Sequence, residues 1–347
     1  MNRQIKRSAL AHENCFIIAE IGINHNGDMD LACKTIDAAI SSGADAVKFQ
    51  NYKTSDFISS DSIMYEYTSA GRTIRENQYD MFLRYEMTDD DVRMVKNYCD
   101  LASIEFISTP TNIDGVGLLN SIGCKHVKNG SDFLGNLDLI SAMAKSGMET
   151  IISTGMSTIG EIDEAVTAYR RAGGTELTLL HCTSLYPTPP SALNLRRIPI
   201  LGDIFNCASG FSDHSEGIAA GVAAVCLGAS VIEKHFTLDC NLVGPDHRIS
   251  SNPSQFRELV DSIRICEAAL GSPTFGYTPG ELESREQFRL SVTCACDLAK
   301  GTVLLDEHLR LSRPGTGLAP IFRNAILGRK ALKPLRKGQL ISWEDLA

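Results

Sequence analysis

Two histidines stand where apolar, strand-like runs give out. His214 closes Cys207-Ala-Ser-Gly-Phe-Ser-Asp-His214, and His235 lies in Val231-Ile-Glu-Lys-His-Phe-Thr237. Two imidazoles at the ends of adjacent strands suit one divalent ion whose other positions stay open to water and a carbonyl oxygen. Such an ion would act as a Lewis acid on an oxygen bound beside it. His25, His181 and His247 are weaker candidates, because a lone strand-end histidine is more often a hydrogen-bonding core group. Other runs also end in polar groups: Glu20, then Lys48 with Gln50, Thr109, and Lys128 with Ser131, while Tyr186 follows residues 177–182. A lysine in an apolar strand is costly to bury unpaired. Lys48 and Lys128 therefore face an anion, either a ligand or the carboxylates Glu20 and Glu233.

Positioning these groups requires strands whose C-terminal ends converge. The strand-like runs alternate with amphipathic stretches at residues 29–42, 88–103, 113–122, 136–145, 157–172, 216–227 and 253–270, several closed by glycine. About eight β/α units imply a parallel sheet, and the fold class read from them is α/β, a (β/α)8 barrel with its reactive groups on the C-terminal rim. A doubly wound open sheet is the competitor, but it gathers polar groups at one crevice. Residues 51–87 are too long for a barrel loop and read as a lid or binding loop carrying Arg72, Arg75, Asn77 and Gln78. The expected division is a barrel over 1–275, a linker over 276–287 and a small module over 288–347. The module holds a weak duplication, Lys300-Gly to Leu309 and Lys337-Gly to Leu346, each a turn, a short strand and a single helical turn. Between the copies, Arg313-Pro-Gly-Thr-Gly317 is a rigid turn that projects an arginine.

Composition narrows the function. A net charge of −9 argues against nucleic acid or an anionic membrane as partner. No apolar run is long enough to span a bilayer, and residues 1–14 lack a signal-like core, so a cytoplasmic location is expected. The 11 cysteines form no CxxC pair and read as reduced core residues, with Cys294 and Cys296 on one strand face. No glycine-rich nucleotide fingerprint is present.

Several long motifs then carry a resemblance. Ile18-Ala-Glu-Ile-Gly-Ile-Asn-His-Asn-Gly27, Phe106-Ile-Ser-Thr-Pro110, His181-Cys-Thr-Ser-Leu-Tyr-Pro187, Gly210-Phe-Ser-Asp-His214, Glu233-Lys-His-Phe-Thr237 and Gly244-Pro-Asp-His247 resemble the sialic acid synthases. The tail around Arg313-Pro-Gly-Thr-Gly317 resembles their antifreeze-like (SAF) domain. The resemblance implies a TIM barrel followed by a small β-clip SAF domain, in a domain-swapped homodimer. It implies condensation of phosphoenolpyruvate with an N-acetylated hexosamine, releasing phosphate, with a divalent metal, Mn²⁺ or Mg²⁺. By the same resemblance Lys48, Lys128, Thr109, Ser131 and Ser212 hold phosphoenolpyruvate, His214 and His235 hold the metal, and Glu20 and Glu233 are the acidic pair. Tyr186, Gln50 and Asp246 match sugar-binding positions, and Arg313 matches the arginine inserted by the partner's SAF domain. Two departures bear on the sugar: Ser184 stands where the bacterial N-acetylneuraminate enzymes often have Asn, and the family's long-loop asparagine has no clear counterpart at residues 72–77. The expected acceptor is N-acetylmannosamine, with 2,4-diacetamido-2,4,6-trideoxymannose (a legionaminate precursor) as the alternative. A metal-dependent aldolase, another phosphoenolpyruvate-condensing keto-sugar acid synthase, and a non-catalytic sugar- or ice-binding protein are the competing readings.

Overall fold

The computed structural model describes residues 14–59, 62–69 and 71–347; the basic stretch at residues 1–7 lies outside them. The chain forms two compact units, one ending at Gly271 and the other spanning Ser272–Ala347.

The first unit is a closed barrel of eight parallel strands: β1 (Phe16–Gly22), β2 (Ala46–Asn51), β3 (Glu105–Pro110), β4 (His126–Lys128), β5 (Glu149–Ser153), β6 (Leu177–Cys182), β7 (Ala208–Asp213) and β8 (Val231–His235). They pair in chain order and β8 closes on β1. Side chains alternate across each strand. Outward residues such as Ile17, Val47, Phe106, Ile152, Phe211 and Ile232 join the main core beneath the helices. Inward residues Phe16, Ile18, Ala46, Ile107, Ile151, Leu180 and Val231 plug the barrel with a second apolar cluster. One inward step nearer the C-terminal rim the lining turns polar: Glu20, Lys48, Thr109, Lys128, Ser153, Ser212 and Glu233.

The helices follow from their ends. Thr88 and Thr158 make reciprocal capping boxes with Asp91 and Glu161, opening Asp89–Leu101 and Ile159–Arg171. Asn252 does the same for Pro253–Leu270, which has Pro at its first position. Helix Arg197–Phe205, after β6, was absent from the sequence expectation because Pro199 and Gly202 interrupt its pattern. At the N-terminal end of the barrel, His126 lies between Glu105 and Glu149, 3.3 Å from each.

Residues 51–87 are not an unstructured loop. They form helix Thr54–Phe57, a hairpin of Met64–Ser69 with Arg72–Asn77, and helix Gln78–Tyr85 capped by Asn77. Ile23, Tyr52, Met81 and Tyr85 make a small core beneath them. Ser69 Oγ accepts from the Gly244 N–H at 3.0 Å, tying the hairpin to the loop after β8.

In the second unit, helix Pro279–Phe288 occupies most of the stretch expected as linker. Strands Ser291–Cys294 and Leu309–Ser312 pair antiparallel over a core that includes Leu304, Ile326 and Ile341. Both Lys-Gly turns are present, with Gly301 and Gly338 at positive φ, and single 3-10 turns follow at Asp306–His308 and Trp343–Asp345. The short strands expected between them are reduced to isolated bridges at Val303 and Leu340. The strand stops at Cys294, which is buried, whereas Cys296 is exposed, so the two do not share a face. Among the described residues no helix is long and apolar enough to cross a membrane.

Candidate active site

The C-terminal rim of the barrel opens into a cavity of about 370 Å³. It is lined by Glu20, Lys48, Gln50, Thr109, Lys128, Ser131, Tyr186, Ser212, His214, Glu233, His235 and Asp246, whereas His25, His181, His247 and the loop residues Arg72, Arg75, Asn77 and Gln78 are not among its lining. Arg313 lies in the second unit, its guanidinium 5.1 Å from the centre of the Phe288 ring.

The floor is a buried ionic network. Glu20 and Lys48 are register partners on β1 and β2, and Lys48 Nζ is 2.8 Å from Glu20 Oε2 and 3.7 Å from Glu233 Oε2. Lys128 Nζ reaches Glu233 Oε1 at 3.4 Å. Lys48 also donates to Thr109 Oγ1 at 3.1 Å, and Ser212 Oγ donates to Glu233 Oε1 at 2.8 Å. Gln50 Nε2 donates to Glu20 Oε1 at 3.0 Å. Gly22 makes room for that pair: its φ is +55°, and a Cβ there would stand 3.0 Å from Glu20 Oε1 and 3.3 Å from Gln50 Nε2.

The two carboxylates are held differently. Burial pushes the Glu20 carboxyl above its ordinary value and the Glu233 charge adds to this, with Lys48 only partly opposing. Burial also acts on Glu233, but Lys128, Lys48 and the Ser212 hydroxyl outweigh it and hold it at about 2. Two carboxyl groups driven apart in this way suit different protonation tasks.

Above the floor, the His214 and His235 rings lie 5.5 Å apart, and the half-exposed Tyr186 ring is 4.2 Å from His214. His214 Nδ1 donates to the Thr183 carbonyl at 3.0 Å, which leaves Nε2 as the free lone pair, 3.5 Å from Ser212 Oγ. Burial, reinforced by the neighbouring His214, keeps the His235 imidazole far below its ordinary value and therefore neutral. Its Nδ1 is buried without a hydrogen-bond partner, and the nearest carboxylate oxygen, Asp246 Oδ2, is 3.9 Å away. His214 differs from His235: burial draws its imidazole down, but Cys182, the Thr183 carbonyl and Glu233 outweigh burial and raise it above its ordinary value. Once His214 gives up its proton, two imidazole donors facing a cavity fit a divalent cation with several open positions. Among the described residues no three His, Cys, Asp or Glu side chains converge on one point, so the protein offers a sparse ligand set.

The three weaker histidines are not among the cavity-lining residues. His181 stacks on Phe211 and its Nε2 is 2.6 Å from the Leu193 carbonyl. His25 Nδ1 accepts from the Gly27 N–H, and His247 lies between Thr237 Oγ1 and Asn26 Oδ1.

Several cavity residues had escaped the sequence reading. Ser153 Oγ accepts from Ser131 Oγ at 2.9 Å; it ends the apolar run of β5, which was the available signal, and it lies two residues after the inward Ile151. Cys182, read as core, lines the cavity 3.8 Å from His214 Nδ1; burial raises its thiol, but His214 prevails and lowers it to about 7. One wall is aromatic: Phe57 meets the rings of Tyr52, Phe82 and Phe133 edge-on at 5.6, 5.2 and 6.1 Å. The Tyr52 hydroxyl is spent on the Phe82 carbonyl at 3.0 Å, so this wall presents carbon to the cavity.

Known proteins share this architecture. Residues 290–347 match the SAF domain, and residues 35–274 match the model of the NeuB family. An uncharacterized protein of Methanocaldococcus jannaschii is 41% identical over 96% of this chain and 95% of its own length. The N,N'-diacetyllegionaminic acid synthase of Legionella pneumophila is 38% identical over 96% of this chain and 94% of its own. The crystal structure of N-acetylneuraminic acid (sialic acid) synthetase from Leptospira borgpetersenii, in complex with citrate, superposes with a TM-score of 0.70 at 31% identity, covering 78% of this chain and 90% of that one. With its barrel matched over most of its length and its tail matched in turn, this chain belongs to the NeuB family.

Proposed function

We propose that this enzyme condenses phosphoenolpyruvate with an N-acylated hexosamine and water to give a nonulosonic acid and phosphate. The observation that carries the reading is the pair of lysines, Lys48 and Lys128, 3% and 4% exposed, set among Thr109, Ser131 and Ser212 on the floor of one cavity. That floor matches a ligand with both a phosphate and a carboxylate. Lys48 and Lys128 take the two anionic groups, and the three hydroxyls orient them. The enol carbon then faces the acceptor aldehyde, beneath His214 and His235. Those histidines would hold the divalent cation, Mn²⁺ or Mg²⁺, which supplies Lewis-acid polarisation of the aldehyde. A carbon–carbon bond forms between the enol C3 and the aldehyde C1, the aldehyde oxygen gains a proton, water adds at C2 and phosphate leaves. Glu20 and Glu233 are the groups positioned to move those protons. Gln50, Tyr186 and Asp246 bind sugar hydroxyls, and Arg313 of the partner subunit completes the acceptor site in a domain-swapped homodimer in the cytoplasm.

N-acetylmannosamine is the acceptor expected from the sequence. A second reading, 2,4-diacetamido-2,4,6-trideoxymannose, is favoured by the carbon-lined wall of Tyr52, Phe57, Phe82 and Phe133. Burying a sugar hydroxyl against that wall leaves it without a partner, whereas a methyl or an acyl group gains there. The relative named as an N,N'-diacetyllegionaminic acid synthase supports the same choice.

The test is phosphate release by metal-stripped protein given phosphoenolpyruvate, Mn²⁺ and each sugar separately. Release that needs both the metal and one sugar supports the condensation and names the acceptor. No release with either sugar from folded protein overturns the reading.

A further inference from the structure

Away from the cavity, two thiols stand in contact. Cys226 ends helix Ala219–Cys226 and is exposed; Cys266 lies near the end of helix Pro253–Leu270 and is half-buried; their sulfurs are 3.2 Å apart. Among the described residues no other two cysteine sulfurs touch. A disulfide bond of about 2.05 Å asks these sulfurs to approach by only about 1 Å.

We propose that Cys226 and Cys266 are an oxidisable pair that closes to an internal disulfide when the enzyme meets a low-molecular-weight disulfide such as oxidised glutathione. Cys226, the more exposed, gives up its proton and attacks one glutathione sulfur, expelling a first glutathione thiolate that takes up a proton. Cys266 then attacks the mixed disulfide at the Cys226 sulfur and expels the second glutathione. Two cysteine thiols are oxidised and one glutathione disulfide is reduced to two thiols, so atoms and electrons balance. The order follows from the environments: contact with Cys226, together with the Glu267 charge, holds the Cys266 thiol above its ordinary value, which suits it to the second, intramolecular step. Cys99, Cys124 and Cys207 are unsuited to this chemistry, because burial raises their thiols to about 12, 12 and 11.

Barrel helices run back toward the N-terminal face, so this bond forms on the side opposite the cavity. The residues it joins are 40 apart in sequence. The loop so closed contains all of β8, with Glu233 and His235, and the turn carrying Asp246. A crosslink there restricts the unfolded chain without touching the reacting groups. Its role is that of a staple on the last β/α unit, set by oxidation.

The experiment treats the full-length protein with oxidised glutathione, blocks remaining thiols by alkylation, maps tryptic peptides, and compares melting temperatures with and without reductant. The expected result is a peptide linked through Cys226 and Cys266 and a melting temperature raised on the order of 5 °C. Cys226→Ser and Cys266→Ala should each lose the linked peptide and the rise while keeping basal activity. Recovery of both residues singly alkylated, or as separate glutathione adducts with no rise, overturns the proposal. So does a crosslink that persists in Cys226→Ser.

Discussion

Glu20 and Lys48 sit side by side in the β1–β2 register with their charges 2.8 Å apart, both almost fully buried. Removing one charge from such a pair leaves the other without compensation, which typically costs about 3–5 kcal/mol. Lys48→Met should therefore lower unfolding stability by roughly that amount and abolish turnover. Glu20→Gln is gentler on the fold, because a neutral amide replaces a carboxyl that burial already pushes upward and Lys48 keeps Glu233 at 3.7 Å. Its kcat should fall about 10²- to 10⁴-fold with stability nearly unchanged. Urea titrations read the first effect and steady-state kinetics the second. A fully active Glu20→Gln enzyme would remove Glu20 from proton transfer.

His126 gives the barrel a pH signature one step below the cavity, two residues before Lys128 on β4. Burial draws its pKa down, but Glu105 and Glu149 outweigh burial and raise it to about 8 from 6.5. Its contribution to stability is full below about 6.5 and is lost as pH rises through about 8. For Glu105 burial acts upward, but His126 and Lys125 prevail and hold it at about 2 against 4.5, so its contribution is present above 4.5 and fades as pH falls toward 2. These two groups together favour a stability maximum between 4.5 and 6.5. His126→Gln should flatten the alkaline fall in melting temperature between about pH 6.5 and 8.5. An unchanged slope in the variant would assign the fall to other groups.

The barrel was readable from sequence because its signals are local. Apolar runs, capping threonines and closing glycines each lie within a few residues of the element they define, as Thr88 and Gly43 illustrate. The rim residues were readable for a related reason: a charged or polar side chain ending an apolar run has few places to go except the mouth. Signals that depend on partners distant in sequence were not readable. Strand runs do not tell inward from outward positions, so Lys234, adjacent to Glu233, was not distinguished by role, although it points the opposite way. The aromatic wall escaped because Tyr52, Phe57, Phe82 and Phe133 meet only when the hairpin folds over the rim. The contact of Cys226 with Cys266 joins two helices separated by a strand and a long loop, which no local pattern records.

Lys234 and Asp213 form the outward counterpart of the floor network. Lys234 Nζ donates to Asp213 Oδ2 at 2.8 Å and to the Ser215 carbonyl at 2.7 Å, while Asp213 Oδ1 accepts from the Ser215 N–H and hydroxyl. This clamp fixes the backbone on both sides of His214. Lys234→Met alone should lose about 3–5 kcal/mol of stability. Lys234→Met combined with Asp213→Leu should regain much of it, because no buried charge is left unpaired. Activity should stay depressed in the double variant, since Ser215 and hence His214 lose their anchors. Recovery of full activity along with stability would reduce the pair to a packing device.

The aromatic wall makes a prediction that separates the two halves of the site. Phe57 contacts Tyr52, Phe82 and Phe133 but lies on helix Thr54–Phe57, away from the lysine and hydroxyl floor. Truncating a phenyl ring that an acceptor covers forfeits about 1.5–3 kcal/mol of apolar burial, roughly a ten- to hundredfold change in affinity. Phe57→Ala should therefore raise the KM for the acceptor sugar by about that factor and leave the KM for phosphoenolpyruvate near its starting value. The loss should be larger for 2,4-diacetamido-2,4,6-trideoxymannose than for N-acetylmannosamine, because only the former offers a methyl and a second acyl group to the wall. Equal rises in both KM values would instead mean that Phe57 holds the cavity open as a whole, and a loss independent of the sugar would withdraw the wall from specificity.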